Sequence, residues 1–323
     1  MKALALFSGG LDSIVAVKLI EEQGVDVVGI CFESPFFSAQ RARQSARYIG
    51  LPLAVADITE SLLGVVLSPR HGYGKGLNPC IDCHTLMFRL AGEMLGEEGA
   101  HFMITGEVLG QRPMSQNPRS LSIISRESNF GDLILRPLSA KRLPETLPER
   151  EGWVNREGLF DLSGRSRKQQ IALAEGYGVV HYPSPAGGCL LTEAVFSRRL
   201  KDLITMNQGF SRRDLELLKQ GRHFRISEEM KIVVGRNKKE NEVLIDLARQ
   251  EDVLATVESF PGPTVLAIGT PTTEDLEVVA AIAVSYSDAP LNQPIAVKLE
   301  RDSTINVLRA RGDEKARFHR FMI

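Results

Sequence analysis

The stretch Met1-Lys2-Ala3-Leu4-Ala5-Leu6-Phe7-Ser8-Gly9-Gly10-Leu11-Asp12-Ser13 decides the fold of this chain. Its apolar run over residues 4–7 predicts a buried strand of a parallel sheet, and the apolar spacing after Asp12 predicts a helix. The Gly-Gly pair lets the backbone approach an anion closely, the helix N-terminus adds positive potential, and the two serines add hydroxyl donors. The stretch therefore predicts a phosphate site, with an ordinary strand–turn–helix junction as the alternative.

Four more apolar runs, at residues 25–32, 51–57, 101–107 and 133–137, predict further strands separated by helical segments. This alternation predicts an α/β fold with a doubly wound parallel sheet. Ligands of such sheets lie beyond the carboxyl ends of the strands. We therefore expect Phe32, Asp57, Thr105, Gly106 and Glu107 to lie around the same crevice as residues 8–13.

Composition and charge limit the class of protein. The chain has 323 residues, 43% of them hydrophobic, and a net charge of −1, which argues against strong generic affinity for nucleic acid. No apolar run reaches the length of a membrane span, and the N-terminal run over residues 2–7 is too short for a signal-peptide core, so we expect a cytoplasmic protein with no membrane partner. Nine Lys/Arg against four Asp/Glu between residues 212 and 239 predict one local basic surface.

Four cysteines in a chain of this size favour a metal-binding or catalytic use over a disulfide scaffold. Cys80 and Cys83 form a Cys-x-x-Cys pair at a predicted helix N-terminus, and Cys189 follows two glycines. These three thiolates are expected to converge, either as ligands of a [4Fe–4S] cluster or as a persulfide carrier with a resolving thiol. A zinc site would need a fourth ligand, such as His84 or His181. Cys31 ends a predicted strand and is expected to pack in the core.

The string Ser8-Gly9-Gly10-Leu11-Asp12-Ser13 resembles the PP-loop of the ATP pyrophosphatase superfamily, whose members cleave ATP between the α and β phosphates. We call residues 8–13 the PP-loop. They lack the Gly-Lys-Ser/Thr ending of a Walker loop. The resemblance implies that Ser8, Gly9, Gly10, Asp12 and Ser13 hold the ATP phosphates, with Asp12 orienting Mg²⁺ or phosphate. We expect Leu11 to belong to the same ATP site, together with Phe32, Thr105 and Gly106 from the same edge of the sheet.

A second resemblance rests on Thr105-Gly106-Glu107-Val108-Leu109-Gly110-Gln111 with Ser115-Gln116, which is similar to a segment of tRNA 4-thiouridine synthases. Asn78-Pro79-Cys80 and Gly187-Gly188-Cys189 are similar to the paired cysteines of tRNA 2-thiouridylases. The resemblance covers about residues 1–203 and implies that Cys80, Cys83 and Cys189 handle sulfur from sulfide or a persulfide carrier.

This chain departs from the 4-thiouridine synthase pattern. The lysine that those enzymes carry after a Pro-Leu pair has only a displaced counterpart, Lys141. The RNA-binding region that precedes their PP-loop and the rhodanese domain that follows have no match here. The extra cysteine of the Cys-x-x-Cys pair is similar to iron–sulfur-dependent tRNA thiolases, which favours the cluster among the two sulfur chemistries.

The second part of the chain predicts a smaller α+β domain. Helices are expected at 211–220, 237–249 and 273–287, and strands at 223–226, 230–235, 253–257, 264–268 and 296–299. The segment 232–241 with Phe260-Pro261-Gly262-Pro263 resembles the RNA-binding domain of NFACT-type proteins. The resemblance implies tRNA contacts, for which we select the four cations Arg222, Arg236, Lys238 and Lys239. A domain that serves only to form a homodimer is the alternative.

Together these observations predict a PP-loop sulfurtransferase domain at residues 1–207 and an NFACT-type domain at 208–323. The predicted function is that of an ATP-dependent tRNA sulfurtransferase, which adenylates a uridine carbonyl oxygen and replaces it with sulfur, with catalytic roles for Asp12 and the three cysteines. One alternative is a PP-loop ligase or amidotransferase acting on a small molecule. Another is a non-catalytic RNA- or ribosome-binding protein whose PP-loop senses nucleotide.

Overall fold

The computed structural model describes residues 1–183, 188–206 and 209–323. The chain divides into two compact units, Met1–Thr192 and Glu193–Ile323. The predicted domain boundary, between residues 207 and 208, lies outside the described residues. Within those residues, no helix combines the length and the apolar character needed to cross a membrane.

The first unit contains a five-stranded parallel sheet with the strand order β3-β2-β1-β4-β5. Its strands are β1 (Lys2–Leu6), β2 (Asp26–Glu33), β3 (Leu53–Asp57), β4 (Phe102–Thr105) and β5 (Ile134–Leu135). Its helices are α1 (Leu11–Glu21), α2 (Gln40–Ile49), α3 (Thr59–Leu67), α4 (Cys80–Glu93), α5 (Pro118–Glu127), α6 (Leu147–Arg150) and α7 (Lys168–Gly176). The predicted α/β class and all five predicted strands of this unit are confirmed.

Strand β1 lies at the centre of this sheet because its apolar residues are covered on both faces. Leu4 is fully buried and lies opposite Val28 of β2 and Met103 of β4. The strand order runs outward from β1 in one direction through β2 and β3, and in the other through β4 and β5. The carboxyl ends of β1 and β4 therefore form the topological switch point, where ligands of doubly wound sheets bind.

The second unit contains a six-stranded antiparallel sheet with the order β11-β10-β8-β9-β7-β6. Its strands are β6 (Arg222–Arg225), β7 (Met230–Val234), β8 (Val253–Val257), β9 (Val265–Gly269), β10 (Ile295–Arg301) and β11 (Thr304–Ala310). Its helices are α8 (Ala194–Met206), α9 (Arg212–Leu217), α10 (Lys238–Leu247) and α11 (Thr273–Ser285). This unit has the predicted α+β class.

The sequence analysis missed strand β11. Ile305 and Val307 alternate with Thr304 and Asn306, so the period-2 signal of a strand was present in the sequence and was not used. Both apolar side chains are exposed in the structure. The turn before it uses Asp302 and Ser303, with φ of 48° and 61°, in place of the Asn-Gly pair that marks a hairpin most clearly. Antiparallel pairing with β10, and not burial of its side chains, forms this strand.

Candidate functional site

The PP-loop connects β1 to α1 in a conformation that only glycine fits at its second position. Gly9 has φ of +74°, and a Cβ there would lie 2.6 Å from the carbonyl oxygen of Arg41. Ser45 Oγ of α2 donates a hydrogen bond to the Gly9 carbonyl at 2.8 Å. Ser13 Oγ donates to the Gly10 carbonyl at 2.8 Å. The loop is therefore held from both α1 and α2.

The end of β4 packs directly against this loop. A Cβ on Gly106 would lie 2.4 Å from the carbonyl carbon of Asp12 and 2.4 Å from the backbone nitrogen of Ser13. The residue before it, Thr105, is buried, and its Oγ1 accepts a hydrogen bond from the Glu107 amide at 3.3 Å. The structure thus brings Thr105 and Gly106 to the PP-loop, whereas Phe32 is buried in β2.

Asp12 is the most constrained side chain of the loop. Its Oδ2 accepts hydrogen bonds from Gln111 Nε2 at 3.0 Å and from Arg167 Nη2 at 2.9 Å. Arg167 was not selected from the sequence, because it lies 155 residues from Asp12. The sequence feature that could have drawn attention to Arg167 is the basic run Arg165-Ser166-Arg167-Lys168 at the start of α7.

Two side-chain oxygen atoms beside the PP-loop are buried without a hydrogen-bond partner among the described residues. They are Asp12 Oδ1 and Gln111 Oε1. Both belong to the hydrogen-bonded Asp12–Gln111 pair, and a buried polar atom without a partner carries a desolvation cost. Carboxylate and amide oxygens are ligand types that Mg²⁺ accepts, so this pair fits a bound divalent cation.

Glu107 lies at the centre of a buried ionic network beyond β4. Its Oε1 lies 2.8 Å from His84 Nδ1, and its Oε2 accepts a hydrogen bond from Arg136 Nε at 2.9 Å. Burial raises the pKa of Glu107, but Arg136 and His84 outweigh burial and lower that pKa from 4.5 to about 2. The Arg136 guanidinium also lies 5.7 Å from the centre of the Phe88 ring. The carboxylate is therefore anionic and fixes the end of β4 against α4.

Cys80 and Cys83 occupy the first turn of α4, as the sequence predicted for a helix N-terminus. Asn78 Nδ2 donates a hydrogen bond to Cys80 Sγ at 3.0 Å, and Asn78 Oδ1 accepts one from the Gly76 amide at 3.1 Å. Burial raises the pKa of Cys83, and the nearby thiols of Cys189 and Cys80 raise it further. All three thiols therefore lie within electrostatic range of one another.

Cys189 lies just before a short 3-10 helix, Leu190–Thr192, which is attached to the first unit by the Leu190 amide donating to the Phe36 carbonyl at 2.9 Å. Burial raises the pKa of Cys189 to about 11, while the amides of Leu191 and Thr192 and the charge of Arg112 oppose that rise. Arg112 follows Gln111 directly in the chain. Part of the predicted cysteine loop, residues 185–187, lies outside the described residues.

The four cysteines are all free, and Cys31 is buried in the core as predicted. In the part of the chain that the structure describes, no group of three or more His, Cys, Asp or Glu side chains is arranged to hold a metal ion. Asp57, also predicted near the crevice, ends β3, and its Oδ1 accepts a hydrogen bond from the Thr59 amide at 2.8 Å.

The four predicted RNA-binding cations lie in different environments of the second unit. Arg236 is paired with Glu240, with 2.6 Å between Nη2 and Oε1. Lys238 and Lys239 are exposed in the first turn of α10, and Lys238 lies 3.9 Å from Glu242. Arg222 lies on β6, away in sequence from that helix. Arg236 is therefore held by a close ion pair, whereas Lys238 has only a long contact with a carboxylate.

Comparisons with known proteins identify two matching families. Residues 1–142 match the family described as "Thiamine biosynthesis protein (ThiI)", and residues 221–320 match the "NFACT protein RNA binding domain". These matches confirm the resemblance of the first unit to PP-loop sulfurtransferases and of the second unit to the NFACT-type domain.

Individual relatives carry names of the same kind. The "tRNA-specific 2-thiouridylase MnmA" of Trichlorobacter lovleyi is 26% identical over 184 residues, which are 53% of this chain and 49% of the relative. A "Probable tRNA sulfurtransferase" of Methanothermobacter thermautotrophicus is 30% identical over 173 residues, which are 50% of this chain and 41% of the relative. The chain thus spans less than half the length of either relative.

One solved structure similar to this chain is entitled "Crystal structure of a 4-thiouridine synthetase - RNA complex with bound ATP". It has a TM-score of 0.32 and 21% identity, and the match covers 55% of this chain and 51% of that one.

Proposed function

We propose that this protein is an ATP-dependent tRNA sulfurtransferase, which adenylates a uridine carbonyl oxygen and replaces it with sulfur. One observation carries the proposal: the segment after β4 joins a nucleotide loop to a group of cysteines. Gln111 contacts Asp12 of the PP-loop, and the next residue, Arg112, acts electrostatically on Cys189. Ligation of a carboxylate or sensing of a nucleotide requires none of the three thiols.

In the first step, the PP-loop binds the ATP phosphates. The uridine carbonyl oxygen attacks the α-phosphorus, the bond from that phosphorus to pyrophosphate breaks, and an O-adenylated uridine forms. Negative charge develops on the α-phosphate oxygens in the transition state. Backbone N–H groups at the start of α1, fixed by the glycine loop, stabilise this charge without reorganisation.

Mg²⁺ is the proposed metal cofactor, and Asp12 with Gln111 would hold it through their unpartnered oxygens. When bound, the ion neutralises part of the phosphate charge. Without it, Arg167 neutralises Asp12. The phosphates compete for this guanidinium, so we propose Arg167 as a further contributor to ATP binding.

In the second step, sulfur displaces AMP. An electron pair from sulfide or a persulfide attacks the activated carbon, the carbon–oxygen bond breaks, and AMP leaves with the former carbonyl oxygen. A persulfide on one cysteine would leave a mixed disulfide, which a second cysteine thiolate cleaves to release thiouridine. That route oxidises two thiols to a disulfide, so an external dithiol must reduce it before the next turnover.

Two forms of the cysteine chemistry are proposed. The cysteines either exchange a persulfide, as described above, or hold the predicted [4Fe–4S] cluster. The described side chains present no ready metal-holding group, so the steps above are written for thiols alone. Anaerobic purification followed by iron and acid-labile sulfide analysis separates the two forms. About four iron atoms per chain, lost in a variant with Cys80, Cys83 and Cys189 changed to serine, would assign the cluster.

The second unit is proposed to bind tRNA, and a homodimer contact remains its alternative role. Lys238 and Lys239 lie at the start of α10, where helix N–H groups and lysine charge both attract phosphate. Arg222 is proposed as a further contact. Arg236 contributes less, since Glu240 already accepts its hydrogen bonds. A tRNA substrate also implies a cytoplasmic location.

The test uses the full chain with unmodified tRNA transcripts, ATP and Mg²⁺, and the sulfur is supplied either as sulfide or as a protein-bound persulfide. The expected products are AMP, pyrophosphate and a thiouridine detected by nucleoside mass spectrometry. Serine variants of Cys80, Cys83 and Cys189 should release pyrophosphate in a single turnover and form no thiouridine, when the sulfur is supplied as a protein-bound persulfide. Cys31→Ser is the matched control, because this thiol packs in the core.

The other two candidate functions predict different results. A small-molecule ligase forms AMP without any dependence on tRNA. A nucleotide-sensing protein binds ATP and consumes none.

A further inference from the structure

Two cations of the second unit converge on one aromatic ring. Arg222 projects from β6, Tyr286 ends α11, and Lys315 begins the C-terminal 3-10 helix, Lys315–Phe321. The Arg222 guanidinium carbon lies 5.2 Å from the centre of the Tyr286 ring, and Lys315 Nζ lies 5.3 Å from the same centre. We call these three residues the Tyr286 cluster. Both distances are within the range of a cation–π interaction.

The backbone under this cluster is fixed by the core. The Tyr286 ring packs edge-on against buried Phe224, with 5.9 Å between centroids. Phe318 anchors the 3-10 helix in the same core, and the Asp313 amide donates to Ser285 Oγ at 2.8 Å. The cations are therefore held at defined positions on the surface.

The Tyr286 cluster keeps its charge available, unlike those cations of this unit that are paired with a carboxylate. Among the described residues, Arg222 and Lys315 form no salt bridge. By contrast, Arg236 is held by Glu240, and Lys298 lies 2.8 Å from Glu300. A ring positions a cation without cancelling its charge, whereas a carboxylate cancels it.

Further exposed cations extend the same C-terminal segment. Arg320 lies with its guanidinium carbon 4.6 Å from the Phe321 ring centre, and Arg309 and Arg311 are exposed. Unpaired cations interleaved with aromatic rings are the features that bind a polynucleotide backbone.

We infer that the Tyr286 cluster is an RNA-phosphate-binding site, formed where β6, the end of α11 and the C-terminal 3-10 helix meet. Of its three residues, only Arg222 was among the four cations selected from the sequence. The inference rests on the proposed tRNA substrate. Two phosphates would be bound by Arg222 and Lys315, and Tyr286 positions both side chains. Tyr286 is a positioning residue, since its own ring is occupied by the two cations.

The test measures the affinity of the full chain for a fluorescein-labelled, unmodified tRNA transcript without ATP, over a series of salt concentrations. The double variant Arg222→Gln, Lys315→Gln should bind tRNA at least about tenfold more weakly at 0.1 M salt. The negative slope of log affinity against log salt should also become shallower by about 1.4 to 1.8, because each phosphate contact releases about 0.7 to 0.9 counterions. Lys219→Gln with Lys298→Gln removes the same charge from cations that are paired with Glu216 and Glu300. This control should keep the wild-type affinity and slope.

Two variants of Tyr286 separate positioning from charge. Tyr286→Phe keeps the ring and should bind tRNA like the wild type, whereas Tyr286→Leu keeps both cations and should bind several-fold more weakly. A melting curve of each variant identifies loss of folding, and affinities are compared at temperatures where both proteins are folded. A purely structural role for Tyr286 would lower the melting temperature of the leucine variant and leave its tRNA affinity unchanged.

Three results would overturn the inference: wild-type affinity in the Arg222/Lys315 variant, an equal loss in the paired-cation control, or binding of the wild-type chain to phosphatidylserine vesicles and not to tRNA. The assay needs no turnover, so its outcome is distinct from that of the proposed reaction. Asp12→Asn should lose AMP formation and retain tRNA affinity, while the Arg222/Lys315 variant should retain ATP binding.

Discussion

The side-chain amide of Gln111 donates a hydrogen bond to Asp12, with 3.0 Å between Gln111 Nε2 and Asp12 Oδ2. This contact joins the loop after β4 to the loop after β1, across the switch point of the sheet. Arg112 follows Gln111 directly, and its charge opposes the larger effect of burial, which raises the pKa of Cys189. Two adjacent residues after β4 thus act on the PP-loop and on Cys189.

Changing Asp12 to Asn should abolish formation of AMP and pyrophosphate, with a loss of at least about a hundredfold, because the carboxylate charge that orients the cation and phosphates is removed. The measurement is product analysis by chromatography with labelled ATP. The fold should persist, since asparagine can still accept from Gln111 or Arg167. ADP as the sole product of the wild-type chain would contradict the PP-loop assignment.

Gly106→Ala should weaken ATP binding strongly and lower the free energy of unfolding by about 1–3 kcal/mol, because the new methyl group would overlap the backbone of Asp12 and Ser13. Gly96→Ala is the matched control, since a Cβ at that position meets nothing within 4 Å. Calorimetric titration with ATP and a urea denaturation series give the two readouts. Equal behaviour of the two variants would show that the β4 end does not constrain the loop.

Glu107→Gln should destabilise the first unit by about 3 kcal/mol at pH 7, because it leaves the buried Arg136 charge unpaired. The folded-state pKa of Glu107 is about 2 against 4.5 without its partners, so its stabilising contribution is complete above about pH 4.5 and is lost as pH falls toward 2. The difference in unfolding free energy between wild type and variant should therefore shrink below pH 4.5. Glu157→Gln, at an exposed carboxylate, should change stability little at any pH.

Arg112→Gln should slow alkylation of Cys189 by iodoacetamide at pH 8, because Arg112 lowers the pKa of this thiol and its loss reduces the thiolate fraction. Peptide mass spectrometry follows each cysteine separately. Arg119→Gln changes another exposed arginine of the same unit and should leave the rate as it is. A faster reaction in the Arg112 variant would show that this side chain shields Cys189 sterically.

The sequence was sufficient to locate the strands of the first unit, because residues such as Leu4 belong to continuous apolar runs that a buried parallel strand requires. The sequence also located the PP-loop, because its Gly-Gly pair marks a backbone conformation that other residues rarely adopt. In the structure, Gly9 has φ of +74° and leaves no room for a Cβ beside the backbone of Arg41. The ion pair of Arg236 could also have been predicted from the sequence, because Glu240 lies four residues later, a spacing that brings side chains of a helix together. This signal was not used when Arg236 was selected as an RNA-binding cation.

Tertiary structure alone decided which distant residues meet. Arg167 reaches Asp12 across 155 residues, and Arg222 and Lys315 share the Tyr286 ring although they come from opposite ends of the second unit. Local sequence fixes backbone conformation through sterics and apolar spacing, which act over a few residues. Contacts between side chains far apart in the chain depend on strand order and helix placement, which follow from burying the whole core.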